Sequence, residues 1–164
     1  MTYQLDSYCG LYCGACFVMI AFKQNRDDCI PKEWINQISD KDLKCYGCKS
    51  DEIFENCQKC GIRKCARTKN IEFCSECSDY PCEKIKYIQS FNLAHHNVAF
   101  NTLKTIEKIG VEPWLNQQEK RWLCSNCGSP FSWYEENCFQ CGTELFNSIK
   151  EERKLKNFKL SSNT

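Results

Sequence analysis

A chain of 164 residues and 19.2 kDa is enough for one ordinary domain, and splitting its apolar residues over several lobes leaves each lobe short of a core. Its 22 Lys and Arg stand against 21 Asp and Glu, so a formal charge of +1 excludes any global pull toward nucleic acid or anionic membrane. The longest apolar run, residues 15–22, is too short to span a bilayer, and the opening MTYQLDSYCG has neither the basic start nor the apolar run of a secretory signal. These features point to a cytoplasmic protein without a membrane partner, in which disulfides are the minor reading.

Sixteen cysteines dominate what remains, six pairs of them spaced C-x-x-C. Two thiolates three residues apart grip one ion from a tight turn, so the fold and its metals have to be explained together. Cys9-x3-Cys13-x2-Cys16 comes first, followed by Gly14 to Phe22 as a short buried helix, and Cys29 is the candidate fourth ligand of this cluster. The same spacing holds an open iron–sulfur cluster in radical enzymes that use S-adenosylmethionine. Those enzymes carry a series of β/α units, which this chain lacks. Zinc or an all-thiolate iron–sulfur centre is the remaining choice. Pro31 opens a second helix with Trp34, Ile35 and Ile38 on one face.

Cys45 and Cys48 precede two related units, Cys57-x2-Cys60-x4-Cys65 and Cys74-x2-Cys77-x4-Cys82. Neither unit saturates an ion alone, so the spacing predicts interleaving, with Cys45 and Cys48 serving one or both. Helices are expected over 62–69 and 81–91. The cysteine-free middle reads as helical: Val98, Leu103, Ile106 and Ile109 form a stripe ending at Gly110, and Pro113 starts a further helix with Trp114, Gln118 and Trp122 spaced by four. These aromatics are expected to pack between the two cysteine regions, and His95 and His96, on a predicted helix, to be ordinary helix surface or packing rather than ligands.

The most specific signal is CSNCGSPFSWYEENCFQCG. Cys124, Cys127, Cys138 and Cys141 form two C-x-x-C-G turns ten residues apart, the pattern of a zinc ribbon with a closed structural site; rubredoxin-type iron is the alternative. Phe131, Trp133 and Tyr134 on the connection read as the ribbon's own miniature core, with stacking on bases the second choice. In the tail, Lys150, Arg153, Lys154, Lys156 and Lys159 against Glu151 and Glu152 give five minus two, or +3, read as a solvated helix with a nucleic-acid arm as the sharper alternative.

The run CGLYCGAC, then CYGCKSDE, CQKCGIRKCA and FCSECSDYPCEKI, resembles a family of small prokaryotic proteins catalogued as domain of unknown function number 3795. The WLxxQxxRWLC passage and the last four cysteines look like an extension found in some members. The resemblance places Cys9, Cys13, Cys16, Cys45, Cys48, Cys57, Cys60, Cys65, Cys74, Cys77 and Cys82 on motif positions and leaves Cys29 off them. It therefore implies a first cluster whose fourth position is open or filled by a group other than cysteine, where a metal acts on substrate instead of bracing a loop. The family brings no activity with it.

Together these readings predict a small metal-stabilised fold, mainly α, with cysteine-rich knuckles and a C-terminal zinc β-ribbon. The expected divisions are a metal-binding domain over 1–92, a helical connector over 93–122, the ribbon over 123–146 and the tail over 147–164. About four zinc ions, one per four thiolates, would brace an interaction or regulatory module with a protein partner. The competing classes are an iron–sulfur or open-metal enzyme built on Cys9, Cys13 and Cys16, and a nucleic-acid binder using ribbon and tail.

Overall fold

The computed structural model describes residues 2–38, 42–91 and 93–161. Its helices are α1 (Phe17–Gln24), α2 (Lys32–Ile38), α3 (Glu55–Gln58), α4 (Gly61–Lys69), α5 (Glu83–Ser90), α6 (Ala99–Ile109), α7 (Val111–Arg121) and α8 (Ser148–Ser161), with 3-10 turns at Cys13–Ala15, Cys74–Glu76 and Ala94–Val98. Among the described residues no helix is long and apolar enough to cross a membrane. The expected tail helix is α8; residues 162–164, and the side chains from Lys156 onward, lie outside what is described.

Helix α1 forms where the apolar run leaves the first cysteine turn. Phe17 to Ala21 are all buried, and the helix stops at Asn25, whose φ of 50° is the left-handed conformation that asparagine tolerates. Asn70 ends α4 in the same way. Gly110, φ 86°, both terminates α6 and caps the start of α7, so the two helices join at a corner with no intervening loop. Helix α7 consequently begins at Val111, two residues before the expected Pro113. A proline in the first turn displaces no helical hydrogen bond, because amides there lack an intrahelical partner.

The N-terminal segment threads between the cysteine loops. Gln4 N donates to Tyr46 O (2.7 Å), Cys13 N to Leu5 O (2.7 Å) and Cys74 N to Tyr8 O (2.8 Å). Lys49 pairs with Asp6 at 2.5 Å, both side chains nearly buried, and lies 4.0 Å from the Phe73 ring centre. Arg63 of α4 donates to the Cys48 and Ser50 carbonyls at 2.9 and 2.8 Å, tying that helix to the Cys45–Cys48 turn. Gly10, φ 87°, lies against α6, where an added Cβ would meet Leu103 Cγ at 2.9 Å.

Buried apolar residues form one continuous cluster from Tyr8 to Leu145. The C-terminal segment joins it by docking on α1 and the loop after it. Trp133 N donates to Ala15 O (2.9 Å), Ser132 Oγ to Cys29 O (3.2 Å) and Gln24 Nε2 to Pro130 O (3.2 Å), while Arg26 and Glu135 form a mostly buried ion pair at 2.6 Å. Phe131 packs edge-on against Trp122, Trp133 stacks on His95, and Tyr134 lies beside Phe17. These aromatics are core, as expected, but they join the two cysteine regions rather than filling a core private to the last four cysteines.

That docking also corrects the expected β-ribbon. Strand pairing among the described residues is limited to isolated bridges: Leu123 with Pro130, Asn137 with Glu144, and Asp6 with Tyr12. The Leu123–Pro130 bridge is closed by Phe131 N donating to Trp122 O and Cys124 N to Ser129 O, and beyond it the connection gives the Trp133 amide to Ala15 O, so the pairing does not extend into strands. The chain is mainly helical, with cysteine-bearing turns.

Candidate metal centre

Cys124, Cys127, Cys138 and Cys141 lie on two copies of one turn. In the first, Gly128 N donates to Cys124 O at 2.8 Å and Cys124 N to Ser129 O at 2.9 Å; in the second, Gly142 N donates to Cys138 O at 2.8 Å and Cys138 N to Thr143 O at 2.8 Å. Gly128 and Gly142 adopt φ 74° and 73°, the left-handed conformation that lets each turn close, and a single antiparallel bridge seals each base.

The two turns face each other so that all four sulfurs lie within 4.8 Å of one another. Across the turns Cys124 lies 3.6 Å from Cys141 and Cys127 lies 3.5 Å from Cys138. A tetrahedral ion with metal–sulfur bonds of about 2.3 Å requires sulfur–sulfur edges of about 3.8 Å, whereas a disulfide requires about 2 Å. The arrangement fits a four-sulfur metal site, and all sixteen cysteines are free thiols. Among the described residues, this is the one group of three or more Cys, His, Asp or Glu side chains drawn so close together.

Two supporting residues escape a reading that counts only cysteines. Ser129 Oγ lies 3.4 Å from Cys127 Sγ and Thr143 Oγ1 lies 3.3 Å from Cys141 Sγ. The Ser129 hydrogen bond pulls the Cys127 thiol below its ordinary range, and Thr143, then Asn126, holds Cys141 down at about 5. Cys138 moves the other way, pushed up to about 11 by desolvation. A hydroxyl two residues beyond the second cysteine of each pair was the available signal: CGS in one turn, CGT in the other.

The N-terminal cysteines are brought together more loosely. Cys13 has Cys48, Cys16 and Cys45 as electrostatic neighbours; Cys57 has Cys16, Cys45, Cys48 and Cys60; Cys48 has Cys9 and Cys60. These charges link Cys9, Cys13, Cys16, Cys45, Cys48, Cys57 and Cys60, and Cys9 also acts on Cys74. Burial pushes the Cys13 thiol far up, and Cys16 and Cys48 up to about 12. A cation entering this group has to displace protons. Cys65, Cys74, Cys77 and Cys82 line a second, small cleft walled by Ile62, Ala66 and Ile85, and Lys69 Nζ lies 3.1 Å from the Cys77 sulfur.

Cys65 of the first unit lines the cleft with the three cysteines of the second unit, while the charges acting on Cys57 are those of Cys16, Cys45, Cys48 and Cys60. Cys29, expected to close the first cluster, is buried beside the C-terminal segment. Its buried sulfur lies 3.5 Å from the Phe17 carbonyl, and the charges acting on it are those of Arg26, Glu135 and Asp28.

Residues 5–87, which are 83 of the 164, match the model of a family described as protein of unknown function (DUF3795). The chain belongs to that family. No curated protein and no solved structure matches it. The family region contains the charge-linked cysteines and the Cys65–Cys82 cleft. The close-set Cys124–Cys141 site lies outside it and is joined to it through Trp133, Arg26 and Gln24.

His95 sits at that junction, buried, its ring stacked on Trp133 with centres 4.0 Å apart and its Nδ1 2.6 Å from the Tyr134 hydroxyl. Burial, then the neighbouring His96, depresses its protonation well below the ordinary imidazole range. The folded chain keeps His95 neutral while the unfolded chain takes up a proton near pH 6.5, so its contribution to stability is intact above about pH 6.5 and falls as pH drops below it. Between pH 7.5 and 5.5 we expect wild type to lose more stability than His95→Asn, at a rate approaching about 1.4 kcal/mol per pH unit for one proton. Metal loss in acid is common to both proteins, so parallel denaturation curves would show that His95 titrates normally.

Proposed function

We propose that the chain is a cytoplasmic zinc-binding protein that acts as an interaction or regulatory module, with metal bracing the cysteine turns around its apolar core. One observation carries this reading: the four sulfurs of Cys124, Cys127, Cys138 and Cys141 are set at tetrahedral spacing with no room for a substrate ligand. Four thiolates with hydroxyl support make a closed structural site, and zinc is the ion that such sites hold most often. The Cys65, Cys74, Cys77 and Cys82 cleft offers a second set of four. The seven charge-linked sulfurs then serve two four-coordinate ions if one sulfur bridges both, which preserves a total of about four ions without Cys29.

The wide charge-linked group favours a second reading, an iron–sulfur centre reached through Cys9, Cys13 and Cys16, because a cluster spreads its thiolates further apart than a single ion does. Metal analysis with visible absorption of anaerobically isolated protein separates the two. Colourless protein with about four zinc ions per chain supports the first. Brown protein containing iron and sulfide, with metal still at the C-terminal site, assigns the charge-linked group to the second.

A further inference from the structure

A half-open cavity of about 240 Å³ lies where the loop between Cys9 and Cys13 meets α6, α7, α8 and Trp133. No cysteine lines it. Its position, at a crevice assembled from distant parts of the chain, is where small-molecule sites usually form.

We propose that this cavity binds a neutral planar heteroaromatic ring of the nucleobase class. Its inner wall is aromatic and already fixed: Tyr12, Trp122 and Trp133 are almost buried, Tyr12 is braced edge-on by Trp114 at 6.1 Å, and His95, which also lines the cavity, is stacked on Trp133. A ring stacking there meets surfaces that need no further ordering. At the rim, Asn101 and Gln117 offer exposed amides, each able to donate and accept, as the edge of a base requires. The Thr102 and Thr105 hydroxyls donate back to the Val98 and Asn101 carbonyls at 3.0 and 2.9 Å, so toward the cavity they can only accept.

Charge excludes the competing classes. Arg121 and Glu151 both line the cavity and are paired at 2.6 Å, so a phosphate or carboxylate approaching the arginine would lie beside the Glu151 carboxylate. A methylated ammonium, the other ligand suited to aromatic walls, would face the Arg121 guanidinium. The volume falls below the roughly 300 Å³ at which drug-sized pockets begin, which suits one ring system or a nucleoside and not a dinucleotide. The ring can come from a free nucleoside or from a base of single-stranded nucleic acid, since both present the same faces and edges.

Adenosine titrated into the metal-loaded full chain should quench tryptophan fluorescence saturably. Adenosine 5′-monophosphate should bind no more tightly. Thr105→Phe fills the cavity from α6, and Gln117→Ala removes a rim amide at an exposed position; each should weaken binding about tenfold or more while leaving metal content and melting unchanged. A parallel titration with a short oligoadenylate identifies the source: tighter, variant-sensitive binding of the strand points to nucleic acid, and equal binding points to the free nucleoside. Absence of saturable binding by adenosine, uridine and the oligonucleotide overturns the proposal, as does binding that neither substitution alters. Metal content is read separately in every sample, so these outcomes stand apart from those that test the zinc reading.

Discussion

Cys138→Ser should lose one equivalent of metal and melt the C-terminal part of the chain while the family region stays folded. The replaced sulfur is nearly buried and lies 3.5 Å from Cys127. A structural zinc contributes roughly 10 to 16 kcal/mol in small peptides, as much as the whole 5 to 15 kcal/mol of an ordinary domain. Losing one ion therefore exceeds what the Trp122, Phe131 and Phe146 contacts can restore. Native mass spectrometry gives the metal count, and backbone amide resonances locate the unfolding. The reading fails if the serine variant keeps its full metal complement, or loses it with the residues around Gly128 and Gly142 still ordered.

Gly47→Ala should destabilise the metal-loaded protein by roughly 3 to 5 kcal/mol, near the upper end for a single substitution. Gly47 has φ 109°, outside the range that L residues favour, and an added Cβ would fall 1.8 Å from the Gln4 carbonyl oxygen. That carbonyl is backbone, and the Gln4 amide is already committed to Tyr46 O at 2.7 Å, so neither can yield without releasing the N-terminal segment from the Cys45–Cys48 turn. Gly61 is the control. It is the first residue of α4, a Cβ added there would meet nothing within 4 Å, and alanine should be neutral or stabilising by about 0.5 to 1 kcal/mol. Denaturant titrations of the two variants at equal metal loading should therefore diverge. Values within about 1 kcal/mol of each other would mean that the Cys45–Cys48 turn does not hold this geometry in solution.

Local signals made the metal turns legible. Spacing and glycine placement marked Cys124, Cys127, Cys138 and Cys141, and the hydroxyls of Ser129 and Thr143 were present in the same strings. Helix ends were legible where one residue decides them, as Gly110 does for α6. The start of α7 was not, because Gly110 also caps that helix and leaves Pro113 inside its first turn. The surroundings of Cys29 and Cys65 were hidden for another reason. Spacing counts sulfurs along the chain, but which of them meet depends on where the N-terminal segment threads and on how Arg26, Glu135 and Ser132 seat the C-terminal segment. Of the expected β-ribbon only the Leu123–Pro130 and Asn137–Glu144 bridges are seen, and the Trp133 amide between them goes to Ala15, a partner 118 positions away (133 − 15).

X-ray absorption at the metal edge of the intact chain, as isolated, should show zinc with a first shell of about four sulfurs at about 2.3 Å, averaged over all sites. A shell dominated by oxygen or nitrogen, or thiols found joined in disulfides with no metal present, would contradict zinc–thiolate coordination.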